Sequence, residues 1–170
     1  MPNQRTANAS TVDSASSDAN RTIVYLHGFL SSAQSIKARF LREHLDTVPN
    51  VMFRAIDFNP TPRDFETMTT TGQINRLRQY VLDFGLRDLC LVGSSFGGLI
   101  ALHYTHRFGG VSGMLLLAPA VVWLSGGLSE QELVQWKESG AAPLSHPAFD
   151  KKVPIRYDLH LDGLRYLEPV

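Results

Sequence analysis

Short apolar runs alternate with helix-spaced apolar residues along the first part of the chain. Four short, mainly apolar runs are predicted to be strands of a parallel sheet: 22–26 is β-branched and aromatic, and 89–92 is apolar on both faces, as in buried parallel strands. They cover residues 22–26, 51–56, 89–92 and 111–117. Helix-spaced stretches separate them, so the predicted order is βαβαβαβ. That order indicates the α/β class, with a parallel sheet of about four strands, right-handed crossovers and flanking helices.

Each helical stretch is predicted to turn one apolar face towards the sheet. The first covers residues 35–45, and its predicted apolar face is Ile36, Phe40, Leu41 and Leu45. The second covers about residues 71–84, and its predicted apolar face is Ile74, Leu77, Val81 and Leu82. The third follows the strand 89–92 after a short turn and ends at the Phe108-Gly109-Gly110 sequence.

We expect the strands to lie in the order 51–56, 23–26, 89–92 and 113–117 across the sheet. The loops after all four strands then meet at one edge, where open α/β sheets bind ligands. That edge is predicted to gather His27, Asp57, Ser95 and Pro119. The last strand is left with an open apolar edge, which favours self-association.

The pattern changes after Pro119, where residues 120–170 read as a cap-like segment. Ser129 and Glu132 form a capping box that opens a helix to about Ser139. Residues 140–157 hold three prolines and are predicted to be irregular, and residues 158–167 to form a last short helix. Two interpretations of the apolar residues stand: they line an acyl pocket, or the tryptophans close the core. The residues in question are Trp123, Leu124, Leu133 and Trp136.

The composition indicates the domain organisation of the chain and the partners to expect. Residues 1–20 are small and polar and are predicted to be a disordered tail before one domain over 21–170, with its sheet core in 21–119. Lys plus Arg equals Asp plus Glu, so nothing indicates a nucleic-acid partner. Cys90 is the single cysteine, and no apolar run approaches the roughly 20 residues of a membrane span. We expect a cytoplasmic protein that does not bind membranes.

The chemistry is concentrated in Gly93-Ser94-Ser95-Phe96-Gly97-Gly98, which lies between a strand and a helix. A Gly-x-Ser-x-Gly sequence in that context is typical of a nucleophile elbow, in which a strained serine projects above the sheet. The flanking glycines let strand and helix pass closely, and the helix N-terminus favours a developing oxyanion. The spacing selects Ser95, not Ser94. The alternative is a glycine-rich turn that binds phosphate or only packs tightly.

Three segments resemble the α/β-hydrolases, most closely the small bacterial esterases of the YqiA/YcfP kind. They are YLHGFLSSAQSIKARFL, LVGSSFGGLIALHY and LLLAPAV, and the resemblance covers roughly residues 22–167. It implies a serine hydrolase acting on small-molecule carboxylic esters or thioesters, with Ser95 as nucleophile. It also implies an oxyanion hole made by the backbone N–H groups of Phe29 and Phe96. We expect no metal and no cofactor, because no ligand cluster is recognisable.

The loop that follows the first strand supplies the Phe29 N–H in such a fold. Gly28 lets this loop turn tightly towards the elbow. His27 has two interpretations: it orients the loop, or it is a strand-end histidine with its own hydrogen bonds.

The acid and base of the triad follow the serine on later strands in this fold. No such strands are recognisable, so we expect a chain that lacks the C-terminal part and is catalytically incomplete. Its histidines are poorly placed to substitute: His44 on the first helix, His103 and His106 on the helix after the elbow, and His146 and His160 in the cap-like segment. The alternatives are a non-catalytic remnant or acyl-binding module, and acyl transfer or thioester hydrolysis on the same scaffold.

Overall fold

Four parallel strands form the central sheet. The computed structural model describes residues 21–121 and 128–167. In chain order the strands are β1 (Arg21–Leu26), β2 (Val51–Ile56), β3 (Leu89–Ser94) and β4 (Val111–Leu117). They lie in the order β2-β1-β3-β4, which confirms the predicted arrangement and the partial α/β-hydrolase fold. In β4, which has one sheet neighbour among the described residues, Met114 and Leu115 are exposed.

Helices cover both faces of this sheet. They are α1 (Ile36–Leu45), α2 (Pro62–Glu66), α3 (Thr70–Asp83) and α4 (Phe96–Phe108). Successive residues of a strand point to opposite faces. Tyr25 and Val92 therefore pack with Ala38 of α1, while Val24 and Leu91 belong to the larger cluster that includes Leu99, Ile100, Ile74 and Leu77 of α3 and α4.

The predicted apolar face of α1 is wrong in half of its members. Ile36 and Phe40 are 78% and 57% exposed, while Ala38 is buried and Leu41 and Leu45 are half-buried against the sheet. At about 100° per residue, positions 38, 41 and 45 share one stripe, and positions 36 and 40 lie on the opposite side. For the same reason Leu82 of α3 is exposed while Ile74 and Leu77 are buried.

The segment after the sheet is ordered, and the prediction that residues 140–157 are irregular is wrong. Helix α5 (Glu130–Ser139) leads into an antiparallel hairpin of β5 (Ala141–His146) and β6 (Lys151–Arg156). Pro143 and Pro154 lie opposite each other in this ladder. Both strands are edges, so two missing N–H groups are tolerated there.

Trp136 of α5 closes the packing of this cap-like segment. Its ring is buried in the core, its Nε1–H donates to the Ile155 carbonyl at 2.8 Å, and it meets Tyr157 edge to face. Leu133 packs beside the same core. Trp123 and Leu124 lie outside the described residues, as does the predicted tail.

The last helix ties the C-terminal segment to α3. This helix, α6 (Asp158–Gly163), continues into a 3₁₀ turn, Leu164–Tyr166. Asp162 accepts from the Thr71 backbone N–H and from the Thr71 hydroxyl, both at 2.7 Å. The Tyr166 hydroxyl lies 2.6 Å from the same Thr71 oxygen. A carboxylate 91 residues away in sequence thus satisfies an N–H in the first turn of α3.

Candidate active site

Ser95 occupies the turn between β3 and α4 in a strained conformation. Its φ of 52° and ψ of −117° lie where non-glycine residues are rare, at a cost of roughly 1–3 kcal/mol. The Ser95 N–H donates to the Leu117 carbonyl at 3.0 Å, and the Ser95 carbonyl accepts from the N–H groups of Gly98 and Ala120 at 2.9 and 3.0 Å. These bonds hold the turn, and the side chain remains exposed to solvent.

Three glycines make the close approach around Ser95 possible. A Cβ at Gly93 would lie 2.6 Å from the Gly98 Cα, and one at Gly98 would lie 2.7 Å from the Pro119 Cβ. A Cβ at Gly97 would lie 2.6 Å from the carbonyl carbon of Leu26. Contacts this short with backbone cannot be relieved by rotating a side chain. The spacing in the sequence therefore follows from strand-helix contact.

His27 is buried at the end of β1, and both of its ring nitrogens are engaged. Nδ1 lies 2.8 Å from the Gly28 carbonyl, and the Phe58 N–H donates to Nε2 at 3.1 Å. A carbonyl only accepts and an N–H only donates, so the ring is neutral with its proton on Nδ1. Asp57 Oδ1, at 3.5 Å from Nε2, is beyond hydrogen-bond range. This geometry favours an orienting role for His27 over that of a base.

The loop after β1 touches the elbow directly. A Cβ at Gly28 would lie 3.4 Å from the Ser95 Cβ, so the loop passes close to the serine and leaves room for little more than a methyl group between them. Phe29 follows in the loop, and Phe96 is the first residue of α4. Their rings pack edge to face with centroids 6.3 Å apart. Phe29 and Phe96 are therefore in ring contact beside the turn that holds Ser95, and the oxyanion hole stays a prediction.

A cavity of about 330 Å³ opens beside Ser95. It lies between the loop after β1 and the start of α1. Of the two interpretations of Leu133 and Trp136, an acyl pocket or closure of the core, the structure supports the second for Trp136, and neither residue lines this cavity. The signal that could have found it is helical periodicity, which places the apolar Ile36 opposite the stripe of positions 38, 41 and 45 and therefore away from the sheet. The lining residues are Tyr25, Gly28, Phe29, Leu30, Ser31, Ser35, Ile36, Lys37, Ser94 and Ser95.

The other histidines of the described residues are engaged away from Ser95. His44 Nδ1 lies 2.8 Å from the Phe40 carbonyl, and the His103 and His160 rings pack on Tyr166 and Tyr157. Burial lowers the pKa of His103, and the charge of His106 lowers it further. No histidine in 21–121 or 128–167 forms a hydrogen bond with the Ser95 hydroxyl.

His146 is buried at the end of β5, between the rings of Phe65 and Phe149, with centroids 4.6 and 4.4 Å away. Neither ring nitrogen has a hydrogen-bond partner. Burial is the main cause that lowers its pKa. The ring is therefore held neutral in an aromatic setting.

The described ranges contain neither a metal-ligand cluster nor a membrane-spanning helix. Their His, Cys, Asp and Glu side chains form no group of three or more that could hold a metal ion. No helix within these ranges has the length and apolar character needed to cross a membrane.

The sheet order, the strained serine between β3 and α4 and the segment beyond β4 define the α/β-hydrolase fold. A putative hydrolase from Agrobacterium vitis superposes with a TM-score of 0.69 at 23% identity, covering 88% of this chain and 62% of that one. Family membership is more specific: the chain belongs to the Uncharacterised protein family (UPF0227), whose model matches residues 22–160.

Two further solved structures share the fold. The α/β hydrolase domain-containing protein 10 from mouse has a TM-score of 0.66 at 20% identity, covering 86% of this chain and 62% of its own. Est1E from Butyrivibrio proteoclasticus, with ferulic acid bound, has a TM-score of 0.66 at 16% identity, covering 87% and 62%. The chain thus spans less than two thirds of each of these proteins.

Proposed function

We propose that this chain carries the nucleophile and the oxyanion hole of a serine hydrolase acting on carboxylic esters or thioesters. The observation that carries the proposal is the conformation of Ser95, whose strained backbone presents an exposed hydroxyl beside a cavity. A turn built only for packing has no need of a strained serine, because glycine adopts the same φ without cost. The description of the Agrobacterium vitis relative as a putative hydrolase agrees with this chemistry.

In the proposed reaction the Ser95 oxygen attacks the carbonyl carbon and the carbonyl oxygen becomes an oxyanion. The Phe29 and Phe96 N–H groups donate to that oxyanion, and the N-terminus of α4 adds a favourable dipole. Collapse of the intermediate expels the alcohol or thiol and leaves an acyl group on Ser95, which water then removes. His27 fixes the loop through its bond with the Gly28 carbonyl.

Among the described residues no base is placed to accept the Ser95 proton. A serine hydroxyl is a weak nucleophile until a neighbouring base accepts its proton. The His27 nitrogens are both engaged, and His146 is enclosed by aromatic rings. We propose that the 170-residue chain, assayed alone, reacts slowly. Loss of triad function costs roughly 10⁶-fold in turnover, and the oxyanion hole retains about 10³- to 10⁴-fold over water.

An exposed Ser95 beside a cavity also favours a second candidate, an acyl-binding module that does not hydrolyse the compound it binds. The cavity and the loop would then hold an acyl compound, and Ser95 would contribute a hydrogen bond. This candidate differs from the first in one measurable property, covalent reaction at Ser95.

The test is labelling with a fluorophosphonate, followed by mapping of the modified peptide. We expect the label on Ser95 and not on Ser94, loss of labelling in Ser95→Ala, and unchanged labelling in Ser145→Ala, an exposed serine on the hairpin. Absence of label from Ser95 in the parent chain contradicts the hydrolase proposal and favours the binding module.

Hydrolysis of a p-nitrophenyl ester by the same variants tests the missing base. We expect a weak rate that depends on Ser95. A fast rate that titrates near pH 6–7 would mean that a base exists within these residues, with His146 and His160 the first to substitute.

A further inference from the structure

Two largely buried residues with hydroxyl groups line the cavity beside Ser95. Tyr25 is 1% exposed and Ser94 is 6% exposed, and both line the cavity from the face of the sheet that α1 covers. Within the described part of the chain neither hydroxyl forms a hydrogen bond with another residue, and neither oxygen is among the fully buried polar atoms that lack a partner. Both hydroxyls are therefore open to the cavity, where they can donate to a polar ligand.

The opposite wall of the cavity is positively charged. Lys37 is the single charged residue in the lining, and no acidic residue lies in the first turn of α1 to offset the helix dipole. The N-cap Ser35 accepts from the Ala38 N–H and also lines the cavity. A helix N-terminus together with an ammonium group favours an anion. The Tyr25 and Ser94 hydroxyls supply the donors that such an anion requires.

We propose that this cavity binds an acyl group that ends in a carboxylate, so that the substrate is a hemiester or hemithioester of a short dicarboxylic acid. The inference rests on the proposed function, because Ser95 forms one wall and the acyl group is the part that remains attached to it. A volume of about 330 Å³ is at the lower end for ligand pockets and suits a short chain. Tyr25 and Ser94 donate to the carboxylate, and Lys37 pairs with its charge.

The test compares two esters of equal acyl length that differ in charge at the acyl end, and in the spontaneous nitrophenolate release that the hemisuccinate carboxylate causes by attacking its own ester. In p-nitrophenyl hemisuccinate the end group is a carboxylate, and in p-nitrophenyl levulinate a methyl ketone replaces it. The quantity is the ratio of their Ser95-dependent rates of nitrophenolate release at low ionic strength. We expect a ratio of about ten in favour of the hemisuccinate, the size of one charge-assisted set of hydrogen bonds. Added salt should reduce it.

Substitutions of residues that line the cavity test whether this cavity causes the rate ratio. Lys37→Gln should lower it about 2- to 5-fold, as for one exposed ion pair, and Tyr25→Phe about 2- to 10-fold, as for one hydrogen bond. Arg39→Gln is the matched control, an exposed cation on α1 outside the lining, and should leave it unchanged. If Tyr25→Phe does not fold, Ser94→Ala removes the second hydroxyl. A parent ratio at or below one, or one that none of these lining variants alters, overturns the inference.

Failure of the hydrolase proposal is recognised separately. If neither ester reacts in a Ser95-dependent manner, titration of the parent and of Ser95→Ala with succinate, followed by NMR, decides about the cavity. Succinate binding that Lys37→Gln weakens supports the carboxylate site without catalysis. Absence of succinate binding in both proteins overturns it.

Discussion

Gly97→Ala is the sharpest test of how the elbow is built, because packing and helix propensity act in opposite directions. Gly97 lies in the first turn of α4, where alanine in place of glycine ordinarily gains roughly 0.5–1 kcal/mol. The new Cβ would lie 2.6 Å from the carbonyl carbon of Leu26 and 2.7 Å from the carbonyl oxygen of His27. If Gly97→Ala raises the free energy of unfolding, helix propensity dominates. If it lowers the free energy of unfolding, the close approach of α4 to β1 dominates.

Backbone pairing makes the unfavourable sign the expected result. Leu26 is paired with Ile56 on one side and with Gly93 on the other, so β1 cannot move aside. Overpacking of this kind costs roughly 1–3 kcal/mol or more, and a contact limited by backbone belongs at the upper end. We expect a net loss of about 1–2 kcal/mol in urea unfolding and a melting temperature lower by about 2–4 °C for each kcal/mol. Gly97→Val should lose more.

Gly113→Ala is the matched control. A Cβ there would lie 3.3 Å from the Cys90 sulfur, a tight contact with a side chain in the edge strand β4. We expect the free energy of unfolding to change by less than about 0.5 kcal/mol, because a small gain in strand propensity offsets the contact. A Gly97→Ala protein that melts within a degree of the parent, or above it, would show that α4 and β1 are not in the described contact.

Two further predictions concern the segment after β4. Asp162→Ala should lower the free energy of unfolding in urea by about 0.5–2 kcal/mol, because Thr71 loses its capping partner. The control Asp158→Ala breaks an exposed ion pair and should lower it by less than about 1 kcal/mol. Equal losses in the two variants would contradict the capping role. Burial lowers the pKa of His146, so the unfolded state binds more protons and stability falls as the pH drops below about 6.5. His146→Phe should make that fall shallower, and His44→Gln, on an exposed histidine, should not; parallel pH profiles for His146→Phe and the parent would refute this.

The sheet and the elbow could be predicted from sequence because local pattern determines both. Each strand is a short apolar run, and its neighbours follow from right-handed crossovers. The glycines at 93 and 97 are required by contacts within a few residues of Ser95 and with the adjacent β1. The predicted strand order and the partial α/β-hydrolase fold are confirmed on this basis.

The hairpin and the cavity could not be predicted because long-range pairing creates them. Pro143 and Pro154 argue against a strand when each is considered alone, and only their position opposite each other in a two-stranded ladder makes them acceptable. The cavity joins residues near 25–37 to Ser94 and Ser95, and that proximity depends on the register that pairs Leu26 with Gly93. Ile36 is predicted from sequence to lie on the apolar face of α1 that packs on the sheet, whereas in the structure it lines the cavity.

The hydrogen bonds between Thr71 and Asp162 also imply an order of folding events during synthesis. The two residues are 91 residues apart, which corresponds to roughly 5–18 s of translation at about 5–20 residues per second. Mixed α/β domains usually fold faster than that, in milliseconds to seconds. β1 to β4 can therefore assemble around α3, with Thr69 as its N-cap, while the Thr71 N–H in the first turn still lacks its Asp162 partner. The hairpin and α6 then dock last on a preformed sheet, and ribosome-bound chains that lack residue 162 should expose the first turn of α3 to proteases.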